Sequence, residues 1–143
     1  MSRENLAIVA RFVDHWNETG EPVWADLDAE VVFVIDPASF VAGTYRGHDG
    51  IRTLIRLTAE VFDQFQYELD ELIDAGDAVV ALCRLRVRGT MSGAPGRQRG
   101  AIVFRFRDGR IVLYRSYLRP EEAFEAVGLP GPVTSRTRRV SSD

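Results

Sequence analysis

The sequence predicts an α+β fold, a cone-shaped, curved antiparallel sheet wrapped around a long N-terminal helix. Apolar residues recur at helical spacing in the first part of the chain, and from Tyr67 onward the apolar period changes to two. The 143 residues, of which 45% are hydrophobic and 27% charged, match one globular domain. We assign residues 1–129 to this domain and 130–143 to a C-terminal tail.

The first part of the chain predicts helices around one strand. A helix from about Arg3 to Thr19 ends at Gly20, and Pro22 opens a short second helix that ends near Leu27. The β-branched run VVFVI, closed by Asp-Pro, predicts a buried strand, and a loop with two glycines follows it. A second long helix, capped by Asp49, has the apolar positions Ile51, Leu54, Ile55, Thr58, Phe62 and Phe65.

The second part of the chain predicts two hairpins. A strand from Tyr67 to Ile73 turns at Asp-Ala-Gly-Asp into a long strand from Ala78 to Gly89. A glycine-rich mobile loop then extends to Gly100. The run AIVFRFR, the turn Asp-Gly and RIVLYRSYL form the second hairpin, and Pro120 starts a final helix that ends at Gly128. We expect the helices to gather on one face of the sheet.

Composition excludes several classes of protein. The formal charge of −3 argues against nucleic acid as a partner. One cysteine and two histidines give no zinc spacing, so we predict no metal, and no cofactor motif is present. No apolar run is long enough to span a membrane and no signal peptide is recognisable, which predicts a cytoplasmic protein.

Strand alternation predicts an apolar cavity inside the cone, because alternate side chains point to opposite faces of a sheet. The arginines of two strands point outward, where Glu68 and Asp70 can pair with them. This stripe predicts a cross-strand charge lattice on the outer sheet face or at a dimer interface, and the alternative is an anion- or nucleic-acid-binding patch. A small apolar molecule is the expected ligand. In the last strand, alternation turns Val112, Tyr114 and Ser116 inward. The predicted contacts of the ligand come from the first helix and the inward faces of three strands: Phe12, Trp16, Cys83, Ile102, Phe104, Tyr114 and Ser116.

The order of elements resembles the nuclear transport factor 2-like (NTF2-like) superfamily, and within it the SnoaL-like group. The matching segments are IVARFVDHWNETG, EVVFVIDP, YRGHDGIR, ELIDAGDAVVAL and VFRFRDGRIVLYRSYL. The resemblance implies a cystatin-like cone with a cavity and a homodimer formed through the outer sheet face, where Val103, Leu113 and Tyr117 offer apolar contacts. It covers enzymes of several kinds and proteins without chemistry.

The resemblance also implies particular site residues. Ketosteroid isomerases carry their general base where this chain has Asp36, but their two oxyanion donors fall on Phe12 and Ile102. The catalytic set of limonene-epoxide-type hydrolases falls on Leu85, Cys83 and Ser116. SnoaL-type cyclases have an acid where this chain has Ser116. Apart from Asp36, the catalytic groups of these enzymes are therefore replaced.

Three residues are candidates for catalysis: Asp36, His48 and Tyr45. Asp36 is either a desolvated general base or a turn former before proline. His48 and Tyr45 either donate protons at the cavity mouth or face solvent. His15 borders the pocket or bonds to nearby backbone. Tyr114 and Ser116 direct their hydroxyls at a ligand or satisfy them in the core, and Cys83 is expected to be a core residue.

The sequence therefore predicts binding of a polyketide-, terpenoid- or steroid-like molecule, with isomerisation, cyclisation or dehydration by Asp36 as the chemistry. One alternative is a binding module without catalysis. Another is a dimeric accessory or interaction domain whose cavity is filled by its own aromatic side chains.

Overall fold

The computed structural model describes residues 2–89 and 95–130, which contain three α-helices, a short 3-10 helix and one sheet. The helices are α1 (Ser2–Thr19), α2 (Gly47–Val61) and α3 (Pro120–Ala126), and the 3-10 helix spans Trp24–Asp26. The strands are β1 (Leu27–Ile35), β2 (Gly43–Arg46), β3 (Phe62–Asp74), β4 (Ala78–Gly89), β5 (Pro95–Arg107) and β6 (Arg110–Tyr117). The α+β fold predicted from the sequence is confirmed.

The six strands form one sheet in the order β2-β1-β6-β5-β4-β3. The four strands β3 to β6 form the predicted antiparallel meander, and Asp108 and Gly109 make its tight turn with positive φ angles of 53° and 76°. β1 pairs with β6 in parallel, which makes the sheet mixed. The segment expected to be a loop after β1 instead contains β2, which pairs antiparallel to β1.

Helix α1 lies in the concave side of the sheet. Its apolar face buries Val9, Phe12, Val13 and Trp16 against the inward side chains of the strands. The helix ends as predicted at Gly20, whose φ is +79° and whose N–H donates to the carbonyl of Trp16 at 2.7 Å. This main core therefore fixes the position of α1 within the cone.

Helix α3 packs on the opposite, convex face, so the prediction that all helices share one face is wrong. Ala123 and Phe124 of α3 are fully buried and form a second small core with outward-facing residues of β4 and β5. Val103 belongs to this core, so it is not an exposed dimer contact as expected. A short amphipathic helix after Pro120 gives no sequence signal for the face that it covers.

Helix α2 is displaced from its predicted limits. It begins at Gly47, so Asp49 lies in its first turn and does not cap it. It ends at Val61, where the N–H of Phe62 donates to the carbonyl of Thr58. Phe62 and Phe65 belong to β3, since Phe62 pairs with Gly89 and Phe65 with Val87. Sheet pairing thus prevails over helical periodicity in this segment.

A β-bulge corrects the predicted facing of β6. Phe106 pairs with Ile111 and Arg105 with Leu113, which leaves Val112 as the extra residue. The bulge reverses the alternation before it, so Ile111 is fully buried in the core and Val112 is not part of it. The inward facing of Tyr114, beyond the bulge, agrees with the prediction.

The glycine-rich segment predicted to be a loop is partly a strand. Residues 95–100 belong to β5 and continue its pairing with β4 as far as Arg88 and Pro95. The other part of that predicted loop, residues 90–94, lies outside the described residues. So does the predicted tail from residue 131 onward.

The outer face carries the predicted charge lattice. Arg84 contacts Asp70 at 2.6 Å, and Arg97 and Arg86 both contact Glu68, at 3.1 and 3.6 Å. These pairs lie on the surface, where each contributes at most about 1 kcal/mol. Dimerisation through this face stays a prediction.

Candidate functional site

The interior of the cone is filled largely by aromatic rings around Phe12. Its ring lies 5.3–6.2 Å, between centroids, from the rings of five neighbours. These neighbours are Trp16, Phe33, Tyr67, Phe104 and Tyr114. Phe12 and Phe104, both predicted to contact a ligand, are fully buried in this cluster. What remains open lies on one side of the cluster.

An inner pocket of about 60 Å³ remains beside the cluster. It is mainly apolar, and its volume corresponds to about two water molecules. Five predicted ligand contacts line it: Trp16, Cys83, Ile102, Tyr114 and Ser116. Other residues that line it, which the sequence analysis did not assign to a site, include Phe33, Ser39, Leu54, Thr58, Phe65 and Tyr67.

Two tyrosine hydroxyl groups meet at this pocket. The Oη atoms of Tyr67 and Tyr114 are 2.8 Å apart, and both side chains are buried. Burial raises the pKa of both hydroxyls above the ordinary value, because it disfavours the phenolate. The pair holds two protons and its mutual hydrogen bond uses one. Among the hydrogen bonds of the described residues, the second proton has no acceptor, so it is available to a group in the pocket.

The other polar groups of the lining are two serines, whose Oγ atoms accept backbone N–H groups and keep their own protons, one threonine and one thiol. Thr58 donates its hydroxyl to the carbonyl of Leu54 at 2.8 Å, and Ser116 Oγ accepts the N–H of Asp36 at 3.0 Å. Burial raises the pKa of Cys83 to about 12, which keeps it a neutral thiol. The tyrosine pair is the strongest donor among the side chains that line the pocket, because a phenol hydroxyl is more acidic than the alcohol hydroxyl of a serine and a thiol is a weak donor.

Asp36 lies at the edge of the site and not in the lining of the inner pocket. Its Oδ1 accepts the N–H of Ala38 at 2.9 Å and its Oδ2 accepts the N–H of Leu118 at 3.0 Å. The carboxylate thus caps the turn after β1 and ties it to the end of β6. A role for Asp36 in proton transfer stays a prediction.

Tyr45 and His48 lie on the far side of β1, and neither is among the residues that line the inner pocket. Tyr45 donates its hydroxyl to the carbonyl of Val41 at 2.7 Å. His48 donates through Nε2 to the carbonyl of Leu27 at 3.3 Å and packs against Trp24. His15 bonds through Nδ1 to the carbonyl of Glu21 at 2.9 Å. The structure does not bring these side chains to Asp36.

A larger cleft of about 570 Å³ lies outside the inner pocket. It runs between the end of α1, the last turns of α2 and the start of β3. Its lining is mixed: the apolar part includes Ile55, Ala59 and Phe62, and the polar part includes Glu21 and Arg86. Trp16, Thr58 and Phe65 line both cavities. The two spaces therefore share a wall.

Within the described residues, no three histidine, cysteine, aspartate or glutamate side chains are grouped to hold a metal ion. Over the same part of the chain, each helix is too short or too polar to cross a bilayer.

Tyr67 is not among the predicted site residues, because its position suggests only the start of a strand. A signal was available: Tyr67 lies opposite Leu85 in a hairpin whose inward positions were assigned, so the same alternation turns it inward. Its hydrogen bond to Tyr114 links strands that are far apart in the sheet, and no local pattern predicts that contact.

Solved structures share this fold. An NTF2-like protein of unknown function from Burkholderia pseudomallei K96243 has a TM-score of 0.74 at 23% identity, over 87% of this chain and 97% of the other. An NTF2-like protein from Burkholderia thailandensis E264 is 30% identical over 78% of this chain and 87% of its own, with a TM-score of 0.70. TerC, co-crystallised with polyporic acid, is 18% identical over 87% of this chain and 98% of its own, with a TM-score of 0.73.

A comparison with curated proteins gives no match. A family model described as the SnoaL-like domain matches residues 9–114, which include most of α1, the strands β1 to β5 and the first part of β6. The chain belongs to the SnoaL-like domain family, within the NTF2-like superfamily.

Proposed function

We propose that the protein binds a small, mainly apolar molecule through a carbonyl or similar acceptor oxygen, which enters the inner pocket. The observation that carries this proposal is the buried pair of Tyr67 and Tyr114, which leaves one hydroxyl proton without an acceptor. A donor of this kind, in apolar surroundings, favours an acceptor oxygen over an alkyl group. The second tyrosine polarises the first and strengthens the hydrogen bond.

The lining supports binding more than catalysis. In the part of the chain that the structure describes, the inner pocket has hydroxyl groups and one thiol but no carboxylate or imidazole. A general base must come within hydrogen-bond distance of the proton that it removes. Asp36 would have to release two backbone N–H groups first. Isomerisation, cyclisation or dehydration through Asp36 is the less favoured form of this proposal.

A related protein supports a small-molecule ligand. TerC shares the fold and was co-crystallised with polyporic acid. The ligand proposed here is a polyketide- or terpenoid-like carbonyl compound.

Cys83 offers the test, because its side chain lines the inner pocket and is buried. Cys83→Leu adds bulk to a cavity of about 60 Å³ and is expected to abolish binding of 2-butanone, measured by NMR titration. Cys83→Ala keeps the cavity open and serves as the matched control, which binds like the wild type. Equal binding by the leucine variant, or no saturable binding by the wild type, contradicts the proposal.

An interaction domain without a ligand is the second candidate function. The observation that favours it is the filling of the cone by Phe12 and its five aromatic neighbours. The exposed ring of Phe40, 83% accessible, is available to a partner. This function predicts that neither 2-butanone nor larger ketones bind.

A further inference from the structure

The inner pocket is too small for the whole of a polyketide- or terpenoid-like molecule. A volume of about 60 Å³ holds a group of about two water molecules' size, such as the end of a methyl ketone. The adjacent cleft has about 570 Å³, which lies within the range of about 300–1,000 Å³ that is common for ligand pockets. The outer cleft alone therefore has room for the body of such a ligand, whereas the inner pocket has room only for one end of it.

An aromatic path connects the surface to the tyrosine pair. Exposed Phe40 packs edge-on against Phe62, with ring centroids 6.1 Å apart, and Phe62 lies 6.1 Å from Phe65. Phe65 packs edge-on against Tyr67 at 5.4 Å. The path thus passes through Phe62 and Phe65, which line the outer cleft, and ends at Tyr67 and Tyr114, which line the inner pocket.

The boundary between the two spaces consists of side chains and not of sheet backbone alone. Trp16 of α1, Thr58 of α2 and Phe65 of β3 come from three different elements and line both cavities. Phe65 is half-buried, so a change of its rotamer breaks fewer contacts than it would for a fully buried ring. An apolar chain can therefore pass at this boundary.

We propose that the outer cleft is a second subsite, which binds the apolar body of an elongated carbonyl compound while its oxygen lies at the tyrosine pair. This inference rests on the proposed function and adds the ligand class: a chain or extended ring system with a terminal or near-terminal carbonyl group. The polar part of the cleft lining, which includes Glu21, Gln64 and Arg86, suits a ligand whose far end is polar.

The test is a titration with methyl ketones of increasing length: 2-butanone, 2-hexanone, 2-octanone and 2-decanone. Each methylene group that enters the cleft is expected to tighten binding up to about fourfold, which corresponds to about 0.8 kcal/mol. The gain stops once the chain extends beyond the cleft. Dissociation constants from NMR titration give the dependence directly.

Ala59 provides the variant and Ala7 its control. Ala59 lies on α2, is exposed and lines only the outer cleft, so Ala59→Trp occupies part of the cleft and leaves the inner pocket unchanged. Ala7 is an exposed residue of α1 that lines neither space, and Ala7→Trp makes the same change elsewhere on a helix. We expect Ala59→Trp to bind 2-butanone normally and to lose the gain for the longer ketones.

The outcomes separate the two proposals. If 2-butanone binds but the longer ketones bind no more tightly, the second subsite is wrong and the proposed function stands. The same conclusion follows if Ala59→Trp and Ala7→Trp show equal gains with chain length. If no ketone binds to the wild type, the proposed function fails and the second subsite fails with it.

Discussion

Replacement of Tyr114 by phenylalanine leaves the buried hydroxyl of Tyr67 without its partner at 2.8 Å. An unpaired buried hydroxyl costs about 1–3 kcal/mol of unfolding free energy. The inner pocket beside the pair, of about 60 Å³, has room for a water molecule that restores one hydrogen bond. We therefore expect the lower end of that range, about 1 kcal/mol, for Tyr114→Phe and also for Tyr67→Phe.

The double variant removes both hydroxyls and leaves two phenyl rings of unchanged shape. Loss of both partners is close to neutral, so we expect the double variant to be at least as stable as the less stable single variant. Urea denaturation at pH 7 of the wild type, both single variants and the double variant measures the coupling free energy. Strictly additive losses would show that the two hydroxyls do not interact and would refute this reasoning.

Three further predictions follow from the same contacts. Burial raises the pKa of Cys83 to about 12 from an ordinary value near 9, so the folded state retains this proton longer than the unfolded chain. The contribution of this thiol to the free energy of unfolding is complete below pH 9 and is lost as the pH rises toward 12. Urea titrations should show that the free energy of unfolding falls less steeply with pH in Cys83→Ala than in the wild type, by up to about 1.4 kcal/mol per pH unit. Equal slopes in the two proteins would contradict this. Asp36→Asn loses one of two acceptors for backbone N–H groups, so we expect about 1–3 kcal/mol of destabilisation with ketone binding retained; a stable variant that no longer binds would show that Asp36 acts on the ligand. Asn17 accepts the N–H of Tyr67 and donates to its carbonyl, each at 2.8 Å, and thereby covers the free edge of β3; Asn17→Ala should accelerate amide exchange at Tyr67, and unchanged exchange would contradict this role.

Periodicity and turn residues were sufficient to predict the elements that local patterns determine. The helix α1 with its end at Gly20, the Asp108-Gly109 hairpin and the long strand β4 all follow from the sequence. The parallel pairing of β1 with β6 is a contact between distant segments, which no local pattern encodes. The bulge at Val112 depends on the register with β5, so strand alternation alone placed that residue on the wrong face.

Strand alternation also predicted which side chains face the interior of the cone, while the roles of these residues stay predictions. Alternation is sufficient to direct Cys83, Ile102 and Tyr114 toward the interior, and the structure places all three in the lining of the inner pocket. The position of Asp36 at the end of a buried strand predicts that it lies near the cavity. It does not predict that the carboxylate accepts hydrogen bonds from the backbone N–H groups of Ala38 and Leu118. The size of the pocket depends on how far the ring of Phe12 fills the cone, which only packing determines.

The central claim is that the tyrosine pair donates a hydrogen bond to an acceptor oxygen in the inner pocket. The most direct test compares dissociation constants of 2-hexanone and of 2-methyl-1-hexene, in which a methylene group replaces the carbonyl oxygen. The measurement is made by NMR titration on the wild type and on the variant Tyr67→Phe/Tyr114→Phe. We predict that the preference for the ketone falls about fivefold in the variant, because one hydrogen bond contributes about 1 kcal/mol. The same ratio of dissociation constants in both proteins would contradict the claim.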